Sequence, residues 1–369
     1  MDRRGCIMEF TIAKTIFSEK LSIINSVVPE RSARAILQNL LLIGNEDNTI
    51  TLAATDLEIA LKITVEVQSM KDPESILLPA SRLTALVKGS YSDDITVIVN
   101  GGKVELKTKQ GKFQLPGVEA IDYPTIPDFN PEGAVFIHGD DFAEAVQKTV
   151  FATAKGDTRY ALNGIFLNIT ETSAEFVASD THRLSLVKKK IRNPDNKAYD
   201  GILLTKGMTT LARLAAGQEL LELNITANEL LARTPNAVLI VRRVEGMFPR
   251  YNDVIPPKSE NHVTIDRDEL IRSLHSIGLV ASDETKAVQF MTAQGLLEVS
   301  AASDNGEGTL RLDAEVTGAE VTIKFNYVFV VDALKNISED KVTLQYKDAE
   351  SPARVESVDF LYVIMPINR

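Results

Sequence analysis

Asp180, His182 and Ser185 stand within six residues of one another. An acid, an imidazole and a hydroxyl are the components of nucleophilic acyl transfer. That chemistry is a matter of geometry, and three side chains packed onto the end of one strand and its turn diverge instead of meeting. A hydrolase built on them is the weakest of the readings. Metal chemistry fares no better: four histidines (His138, His182, His262 and His275) and a lone cysteine, Cys6, fall at no spacing that completes a zinc site. Neither a phosphate-binding loop nor a dinucleotide glycine fingerprint follows a strand-like run. No catalytic residue, metal or cofactor is expected. More informative is that Ala178-Ser179-Asp180 has counterparts in Ala54-Thr55-Asp56 and Ala302-Ser303-Asp304, each 124 residues away. A single catalytic site has no use for three copies, so Asp56, Asp180 and Asp304 are read as turn or cap residues.

The elements around those triplets repeat with them. Each triplet ends an apolar strand-like run. Upstream lie amphipathic helix patterns at Ile16 to Val28, Phe142 to Phe151 and Leu270 to Val280. Downstream come a leucine- or isoleucine-bearing strand and a second helix: Ile76 to Val87, Ile202 to Leu214 and Val321 to Leu334. A chain of 369 residues holds three such units, each long enough for its own core. Proline-bearing junctions at Tyr123-Pro124, Phe248-Pro249 and Met365-Pro366 mark the ends. The expected domains are 8–128, 129–256 and 257–369, with 1–7 an N-terminal extension of no assigned role. Within the first unit, strand, helix and three strands appear twice, and Asn100-Gly101-Gly102 and Gln110-Gly111 supply tight hairpin turns. Short hairpins imply antiparallel pairing. The fold class is therefore α+β, three tandem domains each with two helices packed on antiparallel sheets.

Forty Lys and Arg against 51 Asp and Glu give a net charge of −11 and a pI near 5.1. That balance argues against a nucleic-acid binder with a generally basic surface. Over residues 1–128, 129–256 and 257–369 the charge is −3, 0 and −8, so basic residues gathered on one face remain compatible with it. A single cysteine allows no intrachain disulfide. No apolar run reaches the ~18 residues of a membrane span, and the basic opening lacks the apolar stretch of a signal peptide. A cytoplasmic location and no membrane partner are expected.

Five ordered motifs resemble the bacterial replicative sliding clamps, the beta subunits of DNA polymerase III. They are Leu162-Asn163-Gly164; Ala178-Ser179-Asp180-Thr181-His182-Arg183-Leu184; Glu245 to Tyr251 with Ile255-Pro256; Phe325-Asn326; and Tyr362 to Ile367. The resemblance covers Met8 to Arg369. It implies a head-to-tail homodimer closing into a ring around duplex DNA, with helices lining the pore. Every expected helix carries a cation: Lys14 and Lys20, Arg82 and Lys88, Lys148, Lys206 and Arg213, Arg272, and Lys335. Singly each reads as a solvated helix cation; together they suit a pore that touches phosphates without reading bases. By resemblance Arg31, Arg159 and Tyr160 also touch DNA, while Ala161 stands where the family often has a second aromatic.

The resemblance further implies a pocket for short Gln-Leu-x-Leu-Phe-type peptides of the replicative polymerase and repair proteins, built from Leu162, Ser179, His182, Arg183, Leu184, Pro249, Val254, Asn326, Phe329, Val363, Met365 and Pro366. Asp253, where many members carry a basic residue, and the Asn368-Arg369 terminus depart from the family pattern. Phe113 and Leu115 of one subunit would meet Leu279 and Val280 of the other, and a clamp loader would open the ring. The rival reading is a three-domain peptide-binding scaffold that never encircles DNA.

Overall fold

A computed structural model describes residues 7–156 and 160–367, with Tyr160 described by its backbone alone. Six α-helices lie among them: α1 Lys14–Val27, α2 Ala80–Gly89, α3 Gly139–Val150, α4 Thr205–Ala215, α5 Arg267–Ile277 and α6 Tyr327–Leu334. A strand leads into each helix and at least three strands follow it, so the expected order recurs in every third. Neighbouring strands pair antiparallel, as the short connections between them imply.

Local chemistry accounts for the helix limits. In α1, Phe17, Leu21 and Ile24 recur at helical spacing on a buried face, and Pro29 bars continuation past Val28. The carboxylate of Asp266 accepts from Glu269 N at 2.8 Å and caps α5, whose first turn is acidic. That cap starts α5 earlier than the apolar pattern implied and leaves Leu279 and Val280 beyond its end. Helix α4 lies close against a strand: a Cβ at Gly207 would come within 2.5 Å of Val241 Cγ1. Each third buries an edge-on aromatic pair: Phe10–Phe17, Phe142–Phe176 and Phe290–Phe325.

Packing divides the chain differently from the repeat. One compact unit takes residues up to Asp140 together with Lys206–Arg243, and a second takes Asp141–Thr205 with the chain from Val244 onward. The middle third is thus split between them. In the first unit, Ala237–Val244 pairs with Ile59–Glu66, Val241 opposite Ile59 and Ala237 opposite Ile63, so one sheet contains strands of the first and middle thirds. In the second, Arg183–Lys190 pairs with Phe360–Ile364, Arg183 opposite Ile364 and Val187 opposite Phe360, so one sheet contains strands of the middle and last thirds. An open strand edge in a repeat is an unsatisfied row of backbone donors and acceptors, and these pairings satisfy it.

Each unit also has a smaller sheet. That of the first unit runs Ser69–Lys71, Met8–Ala13, Asp94–Asn100, Lys103–Thr108, Gly111–Pro116; that of the second runs Gly306–Asp313, Leu296–Ser303, Ala287–Ala293, Thr322–Asn326. No helix among the described residues is long and apolar enough to cross a membrane.

Candidate functional site

Strands Ser173–Ser179 and Arg183–Lys190 are joined by the turn Asp180-Thr181-His182. Asp180 Oδ1 accepts from His182 N and Arg183 N, both at 3.0 Å, and Ser179 Oγ donates to Arg183 O at 2.8 Å. Thr181 takes φ of 78°, a left-handed conformation that β-branched residues resist. The turn at Asp56 is built the same way. Its Oδ1 accepts from Glu58 N at 3.1 Å and Ile59 N at 2.8 Å, Thr55 Oγ1 donates to Ile59 O at 2.9 Å, and Leu57 takes φ of 77°. The cap reading of Asp56 and Asp180 therefore describes the geometry. Asp304 departs from it: Ser303 pairs directly with Gly306 across a two-residue loop, and Ser303 Oγ instead donates to Val280 O. The same turn separates the supposed triad. Asp180 Oδ2 bonds Arg183 Nε, the His182 ring stacks on Phe329, and Ser185 Oγ donates to Lys148 O.

Arg183 and Leu184 begin the strand that leaves this turn. Leu184 lies opposite Val363, and Met365 N donates to His182 O at 2.9 Å, so two chain segments 179 residues apart form one apolar wall. Leu162, Ser179, Thr181, Arg183, Phe248, Pro249, Arg250, Tyr251 and Val254 complete a cavity of about 240 Å³. Val177, Leu184, Tyr251 and Val363 form the buried cluster under it, with Phe166 and Phe248 stacked at 5.0 Å against its edge. Tyr251 is held by a 2.8 Å bond from its hydroxyl to Glu175 Oε2. Burial first, and Glu175 second, push its phenol up to about 12. Burial alone would raise the Glu175 carboxyl, but hydrogen bonds from Lys188, Tyr251 and Asn168 outweigh it and hold it below the usual carboxylate range. Met365 and Val254 stay 40% and 51% exposed at the rim, which is what an apolar ligand would cover.

Arg183 is 8% exposed and is a wall of the cavity, not a free cation. Its guanidinium bonds Asp180 at 3.0 Å, Asp332 at 2.7 Å and Phe151 O at 2.7 Å, and lies 4.2 Å from the Phe329 ring centroid. Burial would lower its proton affinity; the interactions with Tyr362, Asp332 and Asp180 more than offset this and hold it above the usual guanidinium value.

Of the pocket residues expected from sequence, Leu162, Ser179, Arg183, Leu184, Pro249, Val254, Val363 and Met365 line the cavity. His182, Asn326, Phe329 and Pro366 do not. Asn326 caps α6 by accepting from Val328 N, and Phe329 packs between His182 and Arg183. Sequence reasoning missed Thr181, Phe248, Arg250 and Tyr251, although all four stand in the motifs that carried the resemblance.

Family models match three consecutive stretches: the N-terminal domain of the DNA polymerase III beta subunit at residues 8–127, its central domain at 136–250 and its C-terminal domain at 252–368. The chain belongs to the DNA polymerase III beta subunit family. A beta sliding clamp of Vibrio cholerae is 28% identical over 366 residues, covering 98% of this chain and all of that one. A Pseudomonas aeruginosa beta sliding clamp is 28% identical over 367 residues, with 98% and 100% covered. Among solved structures, a P. aeruginosa DNA polymerase III beta-subunit clamp bound to griselimycin superposes with a TM-score of 0.92 at 27% identity, covering 98% of this chain and 100% of that one.

Two of the helix cations expected of a beta subunit to face phosphates have ion-pair partners within the chain. Lys148, its side chain 12% exposed, pairs with Glu144 at 2.7 Å and Asp359 at 3.5 Å. Lys206 pairs with Asp56 Oδ2 at 2.6 Å and donates to Val27 O at 3.1 Å. Lys148 is thereby largely withdrawn from solvent, whereas Lys206, paired within the chain, stays 45% exposed. Lys20 is paired with Glu19, and Lys14 is half-buried. Arg31, Arg82, Lys88, Arg213, Arg272 and Lys335 are exposed. Arg159 and the side chain of Tyr160 lie outside the described residues, as do residues 1–6 and Asn368-Arg369. At the expected subunit interface, Phe113 is exposed on the edge strand Gly111–Pro116 and Leu279 is exposed after α5. Leu115 is instead buried within its own unit, and Val280 is half-buried beside Gly306 and Gly308.

Proposed function

We infer that this chain is the DNA sliding clamp of a DNA polymerase III, a non-catalytic processivity factor that holds the polymerase on its template. Family membership over the whole chain carries the assignment. A clamp must grip a duplex without reading it, which phosphate electrostatics alone provide. The exposed cations Arg31, Arg82, Lys88, Arg213, Arg272 and Lys335 are the candidates for that contact, with Arg159 and Tyr160 added by resemblance.

Two copies joined head to tail would close the ring, and the closure is supported by matching free edges. Gly111–Pro116 ends the small sheet of the first unit with Phe113 exposed, and Gly306–Asp313 ends that of the second near exposed Leu279. Pairing one against the other at both joints covers these two edges. A loader must then break one joint to admit DNA.

The pocket at Leu184, Val363 and Met365 is the tether for partners. Its apolar walls fit the Leu and Phe of a Gln-Leu-x-Leu-Phe-type segment, and a thioether at the rim adapts to differing side chains. That single cavity, apolar and half-open, carries the partner reading. Fluorescence anisotropy with such a peptide tests it: saturable binding at micromolar concentration, lost in Met365→Glu and Val254→Glu, is expected. Retention on closed circular DNA after loading, with release when the circle is cut, tests encirclement. A scaffold that never encircles DNA would bind the peptide and ignore the cut.

A further inference from the structure

Val254 and Met365 line the peptide pocket and also a second trough of about 560 Å³ on the same unit. Its charged lining differs from that of the pocket. Arg354 is 8% exposed there; its Nη1 donates to Pro256 O at 2.9 Å and its Nη2 to Glu356 at 2.8 Å, while its Nε is buried with no hydrogen-bond partner. Glu356 is shared, because Lys258 Nζ also pairs with it at 3.2 Å. Lys347 adds a third cation on the rim. The carboxylate of Asp348 is turned into its own loop, accepting from Glu350 N and Ser351 N, and Asp253 is paired with Arg250. Three cations therefore line the trough against two carboxylates, Asp253 on its lining and Glu356 behind Arg354 and Lys258, which leaves an excess of one positive charge.

We propose that this trough is an anion subsite for the partner segment, taking a carboxylate that flanks the apolar residues seated in the neighbouring pocket. The proposal rests on the peptide reading of that pocket, and continuity through Val254 and Met365 means one chain can occupy both. The Arg354 guanidinium, fixed by its bonds to Pro256 O and Glu356, places a positive charge in the trough wall. An exposed lysine pair attracts a carboxylate at longer range. Partners carrying Asp or Glu on one flank are thereby selected over neutral ones.

The test uses three peptides with one Gln-Leu-x-Leu-Phe core, flanked by Gly-Gly on both sides, by Asp-Asp before the core, or by Asp-Asp after it. They are titrated against the full chain and against Lys258→Glu/Lys347→Glu, whose side chains are exposed and whose reversal leaves the fold intact. One acidic peptide is expected to bind the native chain about fivefold tighter than the neutral one, the scale of one or two solvent-facing ion pairs. That gain disappears in the double reversal and at about 0.5 M salt, where screening is complete within a few ångströms. The neutral peptide binds both proteins alike. Equal binding of all three peptides to the native chain overturns the subsite, as does an acidic advantage that survives the reversal. Failure of even the neutral peptide to bind sinks the pocket reading itself, a result distinct from either.

Discussion

Removing Arg183 tests whether one guanidinium ties the functional turn to the last domain. In Arg183→Ala, Asp180 and Asp332 lose their counter-ion, Phe151 O loses its donor, and the Phe329 face loses a cation 4.2 Å away. Taking one partner from a buried ion pair costs about 3–5 kcal/mol. Both carboxylates keep some water, with side-chain exposures of 16% and 29%, so the low end, about 3 kcal/mol, is the expected loss. For domains of this size that is a fall of roughly 6–12 °C in melting temperature. Asp332→Asn keeps an acceptor opposite Nη1 and should cost only about 1 kcal/mol. In the pair Arg183→Ala/Asp332→Ala the losses should fall short of additive, because no carboxylate is stranded at 332. Thermal unfolding, with hydrogen exchange across Arg183–Lys190 and Phe360–Ile364 to localise the effect, measures all of these. A shift below about 2 °C for Arg183→Ala, or an Asp332→Asn as damaging as the deletion, would refute the reasoning.

Acid stability should report the cluster of Lys189 with Asp141, Glu144 and Asp359. Burial opposes the charge on Asp359 and Glu144, but the bonds from Lys189 and Lys148 outweigh it and hold both carboxyls low. Their contribution is present above the unfolded carboxylate range near 4 and lost as pH falls through the depressed values. Urea midpoints should therefore drop below about pH 4, and Lys189→Met should flatten that dependence. At the alkaline end, Tyr251 and Tyr123 are raised to about 12, chiefly by burial. Stability should accordingly decline as pH climbs from about 10 toward 12, and absorbance titration of Tyr251→Phe should lose one late-ionising phenol. Leu279→Lys places a charge on a 79% exposed apolar site at the proposed subunit joint; sedimentation should show monomers with an unchanged melting temperature. Met365→Ala removes rim area and should weaken peptide binding about fivefold to tenfold by anisotropy, with the fold unaffected.

Whatever depends on neighbours in the chain could be read without coordinates. Alternating and helical periodicities placed the strand Thr49–Thr55 and the helix after Pro79, and the spacing of Thr55-Asp56 and Ser179-Asp180 announced two identical turns, because an Asx-type cap acts within three residues. The third copy looked the same in sequence and is not, since Gly306 allows the tighter hairpin. Long-range partnership left no local trace. Lys148 and Lys206 resemble any helix cation until Asp359 and Asp56 arrive from 211 and 150 residues away. The pocket exists only because Leu184 is brought opposite Val363. The sheets that join one repeat to the next are likewise invisible in the repeat, because backbone edges pair by geometry and carry no residue signature. Sequence by itself determined the repeated unit, two of its three turns and its family; tertiary structure decided which charges are paired, which apolar residues meet and where one packed unit ends, since pairing and burial depend on distance in space.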